Sequence, residues 1–291
     1  MSASQPAQIF PSLADYLPAA ATSMTALAAQ IADALKAAPQ NTVYSYCTQG
    51  GAPYVAATGR PAWVGGNMGP AGPYTRTDCS GWVSYLLGMV LPQAYEAVAG
   101  FRAQHFPTDP CPWPRAYIYY RYGAVGGPAF QQVAIGDLQP GDIVAYALGG
   151  YASATSFQPE KGDTGHIMLV VGTPVRMDLS KNRAAGLTGS EAWLVPVCDS
   201  SSVPHLSMGD FTDSRDYEAA TECPPCGITN PDHPGGVGYG WLGIAGSNGV
   251  FDQFCFDPGS PHFNWNTVTG DTTRNNQPAL IGLRPTPGFA G

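Results

Sequence analysis

The sequence predicts an α+β protein in which an antiparallel sheet packs against a buried helix. Three observations predict it. An Ala-rich segment with apolar residues at helical spacing comes first, and an apolar run of helical length lies at 82–90. After residue 138 the apolar residues fall into short blocks separated by Gly, Pro and polar turns. Helices first and consecutive strands afterwards is the order of α+β proteins, not of alternating α/β ones.

Each element is justified by its residues. Met24, Leu27, Ala28, Ile31 and Leu35 share one helical face between Pro18 and Pro39. They predict an amphipathic helix over about 20–37 that packs on the downstream domain. Residues 1–45 are therefore read as an N-terminal helical segment and 46–291 as the main domain. Residues 47–78 read as a Gly/Pro/Thr-rich loop region containing Gly50-Gly51 and Trp63-Val64-Gly65-Gly66. From Trp82 to Val90 the chain is apolar on every face and Pro92 stops it, which predicts a helix buried all round. Residues 101–135 are rich in Pro and aromatics (Trp113, Tyr117, Tyr119, Tyr120, Tyr122), which either wall a groove or pack as core.

The turn Leu138-Gln139-Pro140-Gly141-Asp142 feeds a strand at 143–148. Continuous apolar blocks predict strands at 167–172 and 193–198, and Pro196 argues for an edge position or a bulge in the second. Further strands are expected at 239–244, 250–256 and 279–283. Gly235 to Gly240 lacks the Lys and the strand–turn–helix setting of a phosphate loop and reads as a turn into a strand.

Composition narrows the function. Only 12% of residues are charged, against a typical ~25%. The net charge is −8 with three lysines (Lys36, Lys161, Lys181), so no basic stripe exists for a nucleic acid or an anionic membrane surface. No apolar run reaches the ~20 residues that span a bilayer. The N-terminus shows no basic region followed by an apolar core, so no Sec-type signal peptide is visible. The expectation is a cytoplasmic protein or one exported by a signal-less route. Low charge, high Gly and Pro content and seven cysteines lean towards an exported protein, the missing signal leans the other way, and both readings stay open. The odd count leaves at least one thiol outside intrachain disulfides. Cys223-Pro-Pro-Cys226 has half-site spacing for zinc, with His233, Cys255 or Cys198 as further ligands, but a local disulfide or free thiols is the favoured reading.

The chemistry concentrates at Asp78-Cys79-Ser80-Gly81-Trp82. Cys79 stands where a polar loop meets the helical run, so the field at the helix start favours its thiolate. A thiolate nucleophile needs a base, and His166, presented by Thr164-Gly165 at the start of an apolar strand, is the best one. The imidazole needs an orienting partner on its other nitrogen, and Asp199, closing the next strand, suits that role, with His205 as the rival. Each residue alone has a plain structural reading; the combination and its order carry the case. This chemistry calls for no cofactor and no metal.

The residues Asp78-Cys79-Ser80-Gly81-Trp82-Val83, Leu138-Gln139-Pro140-Gly141-Asp142-Ile143 and Thr164-Gly165-His166-Ile167 resemble the NlpC-type cell-wall peptidases, which are papain-like cysteine hydrolases. The match covers roughly residues 60–205. The resemblance implies a papain-like fold, with Cys79 at the N-terminus of a central helix packed on an antiparallel sheet that carries His166. It implies a peptide or muropeptide substrate cleaved at an amide bond through a thioester. Asp78 and Ser80 are implied to bind a substrate amine, and Trp82 joins them as a substrate-binding candidate. The family's tyrosine ahead of a Gly-Gly pair is replaced here by Trp63, leaving Tyr46, Tyr54 or Tyr74 as oxyanion donors beside the Cys79 N–H. The third residue, usually His, is Asp199. An acyltransferase or amidase on another substrate and a non-catalytic binding scaffold are the alternatives. A secreted toxin would bring an immunity or inhibitor protein as partner.

Overall fold

The computed structural model describes residues 23–36, 42–44, 46, 75–148, 164–179, 187–202, 205, 222–223, 228–229, 235–256, 266–267 and 279–289. Among them are four α-helices: α1 (Met24–Lys36), α2 (Cys79–Val90), α3 (Pro92–His105) and α4 (Ala116–Ala124). The strands are β1 (Thr42–Tyr44), β2 (Thr75–Thr77), β3 (Phe130–Val133), β4 (Ile143–Ala147), β5 (Gly165–Val170), β6 (Val175–Arg176), β7 (Glu191–Ser201), β8 (Glu222–Cys223), β9 (Ile228–Thr229), β10 (Gly236–Ser247), β11 (Val250–Cys255), β12 (Asn266–Thr267) and β13 (Ala279–Pro285). The class is α+β. Nine strands form one sheet in the order β12-β11-β10-β7-β5-β4-β13-β3, with β6 beside β7, and its described pairings are all antiparallel.

The apolar blocks β4 and β5 are buried at every position because both sheet faces are covered. One face, through Ile143, Ala145, Ile167, Leu169 and Cys198, meets the helices. The other, through Val144, Tyr146, Met168, Val170, Val195 and Val197, packs with Leu242, Ile244 and Phe254. The helix α2 lies against β5 and β7 with α1 and α3 over it, which explains why Cys79 to Leu87 are all buried. The helix α1 buries Leu27, Ile31 and Leu35 completely, each contributing about 1.5–3 kcal/mol. It sits on α2, β5 and β10, as its apolar stripe requires.

Two regions differ from the sequence expectation. The stretch after Pro92 folds into α3 and α4. Proline ends α2 but also fits the first turn of α3, where its missing N–H costs nothing. Trp113, Tyr117, Tyr119 and Tyr122 are core residues, and the groove reading falls away for them. Pro196 lies inside the sheet, opposite Trp241 of β10, not at an edge. Its carbonyl accepts Val171 N–H, so its nitrogen also faces the side where β5 has ended and β6 has not begun. The reciprocal bond to Val171 is the one a proline cannot donate, and β5 ends at Val170 beside it.

Candidate active site

The segment before α2 is built as a cap. Asp78 is extended, and its Oδ1 accepts the Gly81 N–H at 2.7 Å. The same oxygen accepts Ser80 Oγ at 2.8 Å and Trp113 Nε1 at 3.3 Å, and Trp113 Nε1 also lies 3.1 Å from Ser80 Oγ. Glycine is needed at 81, because a Cβ there would stand 2.2 Å from Thr77 Oγ1 and 2.9 Å from the Trp113 ring. Cys79 is thus the first residue of α2, and its amide has no acceptor within the helix. Asp78 and Ser80 are buried and bonded into this cap. Trp82 is 1% exposed in the core, so it cannot meet a substrate without unpacking the helix.

His166 is placed by a glycine. Gly165 has φ 136°, and a Cβ on it would lie 2.0 Å from the Tyr146 carbonyl oxygen. The far end of β5 is braced by the Pro-Gly-Asp turn. Gly141 N–H donates to Val170 O, and Val170 N–H to Asp142 O, both at 2.8 Å. Asp142 Oδ2 takes the Gln139 N–H at 2.8 Å, and Arg284 on β13 donates to both carboxylate oxygens at 2.8 Å. The Pro-Gly-Asp motif therefore holds the strand that carries His166.

Asp199 and Ser200 alternate on β7 and serve two partners. Ser200 Oγ donates to Thr77 O at 2.8 Å, fixing the strand to the residue before the cap. Asp199, fully buried, turns its Oδ2 to His166 Nε2 at 2.5 Å. The strands β5 and β7 pair only through Leu169 with Cys198 and Val170 with Val197, so the His166–Asp199 bond joins them beyond the end of that ladder. The Cys79 sulfur stands close enough to His166 and to the Ile167 backbone that both act on its ionisation. With Nε2 committed to Asp199, Nδ1 is the ring nitrogen left for the thiol. The order is thiol, imidazole, carboxylate.

The electrostatics of the three groups are coupled. Burial pushes the Cys79 thiol up; the adjacent His166 charge and hydrogen bond pull it down, Asp78 pushes it up again, and the Ile167 N–H pulls it down. Burial disfavours the His166 imidazolium, but the Cys79 charge and the Asp199 hydrogen bond outweigh it and raise the group to about 10. Burial prevails and holds the Cys79 thiol above its ordinary value, against the expectation from the helix start; its thiolate is stabilised only beside a protonated His166. An apolar backing sharpens these charges: Phe256 lies 5.5 Å edge-on from the His166 ring and stands beside Tyr146 and Phe254.

His205 is also at this site. Its Nε2 lies 3.2 Å from Asp199 Oδ2, an ion-pair contact whose alignment falls outside hydrogen-bond geometry, beside the oxygen that His166 engages. His166, Asp199 and His205 place one ligand atom each within 4.8 Å of one another. Two ligands of a tetrahedral zinc ion with ~2.0–2.1 Å bonds stand about 3.3 Å apart. The 2.5 Å between His166 and Asp199 is instead a hydrogen-bond distance, so the trio would take a metal only after that bond opened.

Sequence reasoning missed Ser200 and the Ile167 N–H. Strand alternation was the available signal for Ser200: the residue next to Asp199 must face the helix side. Among the cysteines, Cys111 is disulfide-bonded, and Cys198 and Cys255 are buried thiols. Cys223 is on β8. Tyr46 packs edge-on against Tyr44. Trp63, Gly65, Gly66, Tyr54, Tyr74, Cys226 and His233 lie outside the described residues. No family model, no curated protein and no solved structure matches the chain.

Proposed function

We propose that this chain is a cysteine hydrolase of amide bonds, papain-like in fold and of the NlpC type, acting on peptidoglycan stem peptides. One observation carries the reading: the Cys79 thiol at a helix start stands beside His166, whose ring is hydrogen-bonded to the buried Asp199 carboxylate. Cys79 Sγ forms a bond to the substrate carbonyl carbon, and its proton resides on His166. The Cys79 N–H, without an intrahelical acceptor, stabilises the oxyanion. The C–N bond breaks as His166 returns the proton to the departing amine. Water, deprotonated by His166, then cleaves the thioester and releases the acid. Asp199 keeps the ring oriented and its charge balanced throughout.

The cell-wall substrate rests on the Asp-Cys-Ser-Gly, Pro-Gly-Asp and Gly-His motifs, and two observations support it. The disulfide at Cys111 fits a protein that works outside a reducing compartment. The net charge of −8 gives no handle for nucleic acid. Asp78 and Ser80 we assign to building the helix start and not to binding the substrate amine, because both are buried in the cap.

Digestion of purified muropeptides, followed by mass spectrometry, tests the proposal. The wild-type chain should release peptide fragments, and Cys79→Ala should release none while keeping its melting temperature. Equal turnover by Cys79→Ala would overturn it. Products carrying an added amine in place of water would move the assignment to acyl transfer.

A further inference from the structure

We propose that His205 is a positioning residue of this site: it holds the Asp199 carboxylate in the orientation that His166 requires. The proposal rests on the Cys79–His166 hydrolase reading and names a fourth member of that constellation. Three observations carry it. His205 and Asp199 are both buried, at 2% and 0% exposure. Both imidazoles stand against the same oxygen, Asp199 Oδ2: His166 Nε2 is hydrogen-bonded to it at 2.5 Å, and His205 Nε2 lies 3.2 Å away, a small ring rotation from donating to it. Phe256 lies against both rings, 4.9 Å from His205 and 5.5 Å from His166, so the pair shares one dry aromatic wall.

The charge balance gives the physical need. In the reactive state the thiolate and the carboxylate are two buried negative charges, and protonated His166 is one positive charge. A buried unbalanced charge is strongly unfavourable. His205 can turn an N–H donor towards the oxygen that His166 uses, 3.2 Å from its Nε2. It thereby fixes the carboxylate rotamer and offsets part of the excess negative charge. A carboxylate held by one donor can swing; one held by two on the same oxygen presents that oxygen at a defined place. In a site where His166 must both accept and return a proton, that definition sets the rate.

The test uses iodoacetamide as the probe of the thiolate and peptide mapping to assign the label. In the wild-type chain Cys79 should alkylate faster than Cys198 and Cys255, and His166→Ala should remove that advantage. His205→Phe keeps a planar ring and loses the donor; it should slow Cys79 alkylation by about tenfold, the effect of one lost buried hydrogen bond. His205→Gln restores an N–H at a similar reach and should recover to within about threefold of wild type. A packing role predicts that both variants behave alike, and that outcome overturns the proposal, as does an unchanged rate in His205→Phe.

Proton NMR of the histidine ring N–H groups reads the positioning directly. The downfield His166–Asp199 proton should be lost or shifted in His205→Phe and retained in His205→Gln. If wild-type Cys79 shows no enhanced alkylation, the nucleophile reading fails and this resonance alone decides the positioning role. If His205→Phe does not fold, the wild-type spectrum decides. It should contain a second downfield proton, from His205 Nε2, with a cross-peak to the first, and its absence overturns the proposal.

Discussion

Gly165→Ala changes no catalytic atom and should nevertheless disable the site. Gly165 has φ 136°, in the region that L side chains rarely adopt. An added Cβ would stand 2.0 Å from the Tyr146 carbonyl oxygen, 2.9 Å from its carbon and 3.1 Å from Ala147 Cα. All three are backbone atoms of β4, so no side chain can swing aside. Relief requires the start of β5 to part from β4 by about 1 Å to recover an ordinary contact distance. The pairs that open are Ala147 with Gly165 and Tyr146 with His166, so the displacement is delivered to the His166 ring. A misplacement of about 1 Å at a reacting group lowers turnover by roughly 100-fold.

The backbone strain adds about 1–3 kcal/mol of destabilisation, and each kcal/mol lowers the melting temperature by roughly 2–4 °C in a large domain. Muropeptide hydrolysis and thermal melts followed by circular dichroism measure both effects. Gly100→Ala is the control. It lies exposed on α3 with nothing within 4 Å of its added Cβ, and it should gain about 0.5–1 kcal/mol with turnover unchanged. Gly165→Ala turning over within about threefold of wild type would refute the placement of His166 by this strand start.

Other perturbations draw on the same geometry. Ser200→Ala removes the Ser200 Oγ bond to Thr77 O and should cost about 1 kcal/mol in urea unfolding, with kcat falling more than KM rises. Arg284→Gln leaves the buried Asp142 carboxylate without its two-point partner; denaturant titration should show a loss of about 3 kcal/mol, and a change under about 0.5 kcal/mol would remove the turn from the bracing of β5. His166 carries a sign-definite pH dependence. Its folded value of about 10 exceeds the ordinary 6.5, so its stabilising contribution is complete below about 6.5 and is lost as pH rises through about 10. The melting temperature of wild type should therefore converge on that of His166→Gln across this window. Hydrolysis should fall near pH 10, where His166 no longer holds the proton that the departing amine requires.

The strands were legible because the sheet is covered on both faces. Ile143 to Ala147 and Ile167 to Val170 are unbroken apolar blocks, and no other element buries so short a run so fully. The helix α2 was legible for the same reason, and α1 from its single apolar stripe. The helices α3 and α4 were not. The apolar positions of α3 are interrupted by Gln, Glu, Gly and Arg, and only Ala94, Tyr95 and Val98 are buried. The Tyr- and Ile-rich sequence of α4 has strand-like propensity, overridden by burial against β4, β5 and β13. Cys79, His166 and Asp199 could be singled out because each stands at or near the end of an apolar block, and the fold brings the three side chains together. That His205 stands beside the Asp199 oxygen could not be read. The contact depends on how the chain returns after β7, and no periodicity encodes that.

Cys79 should be acylated during turnover. Single-turnover mixing of excess enzyme with purified muropeptides, quenched in acid and mapped by mass spectrometry, measures it directly. A peptide containing Cys79 that carries the acyl half of the substrate as a hydroxylamine-labile thioester is the predicted result. Fragment release with no adduct on Cys79 at any quench time, or an adduct on another residue, would contradict it.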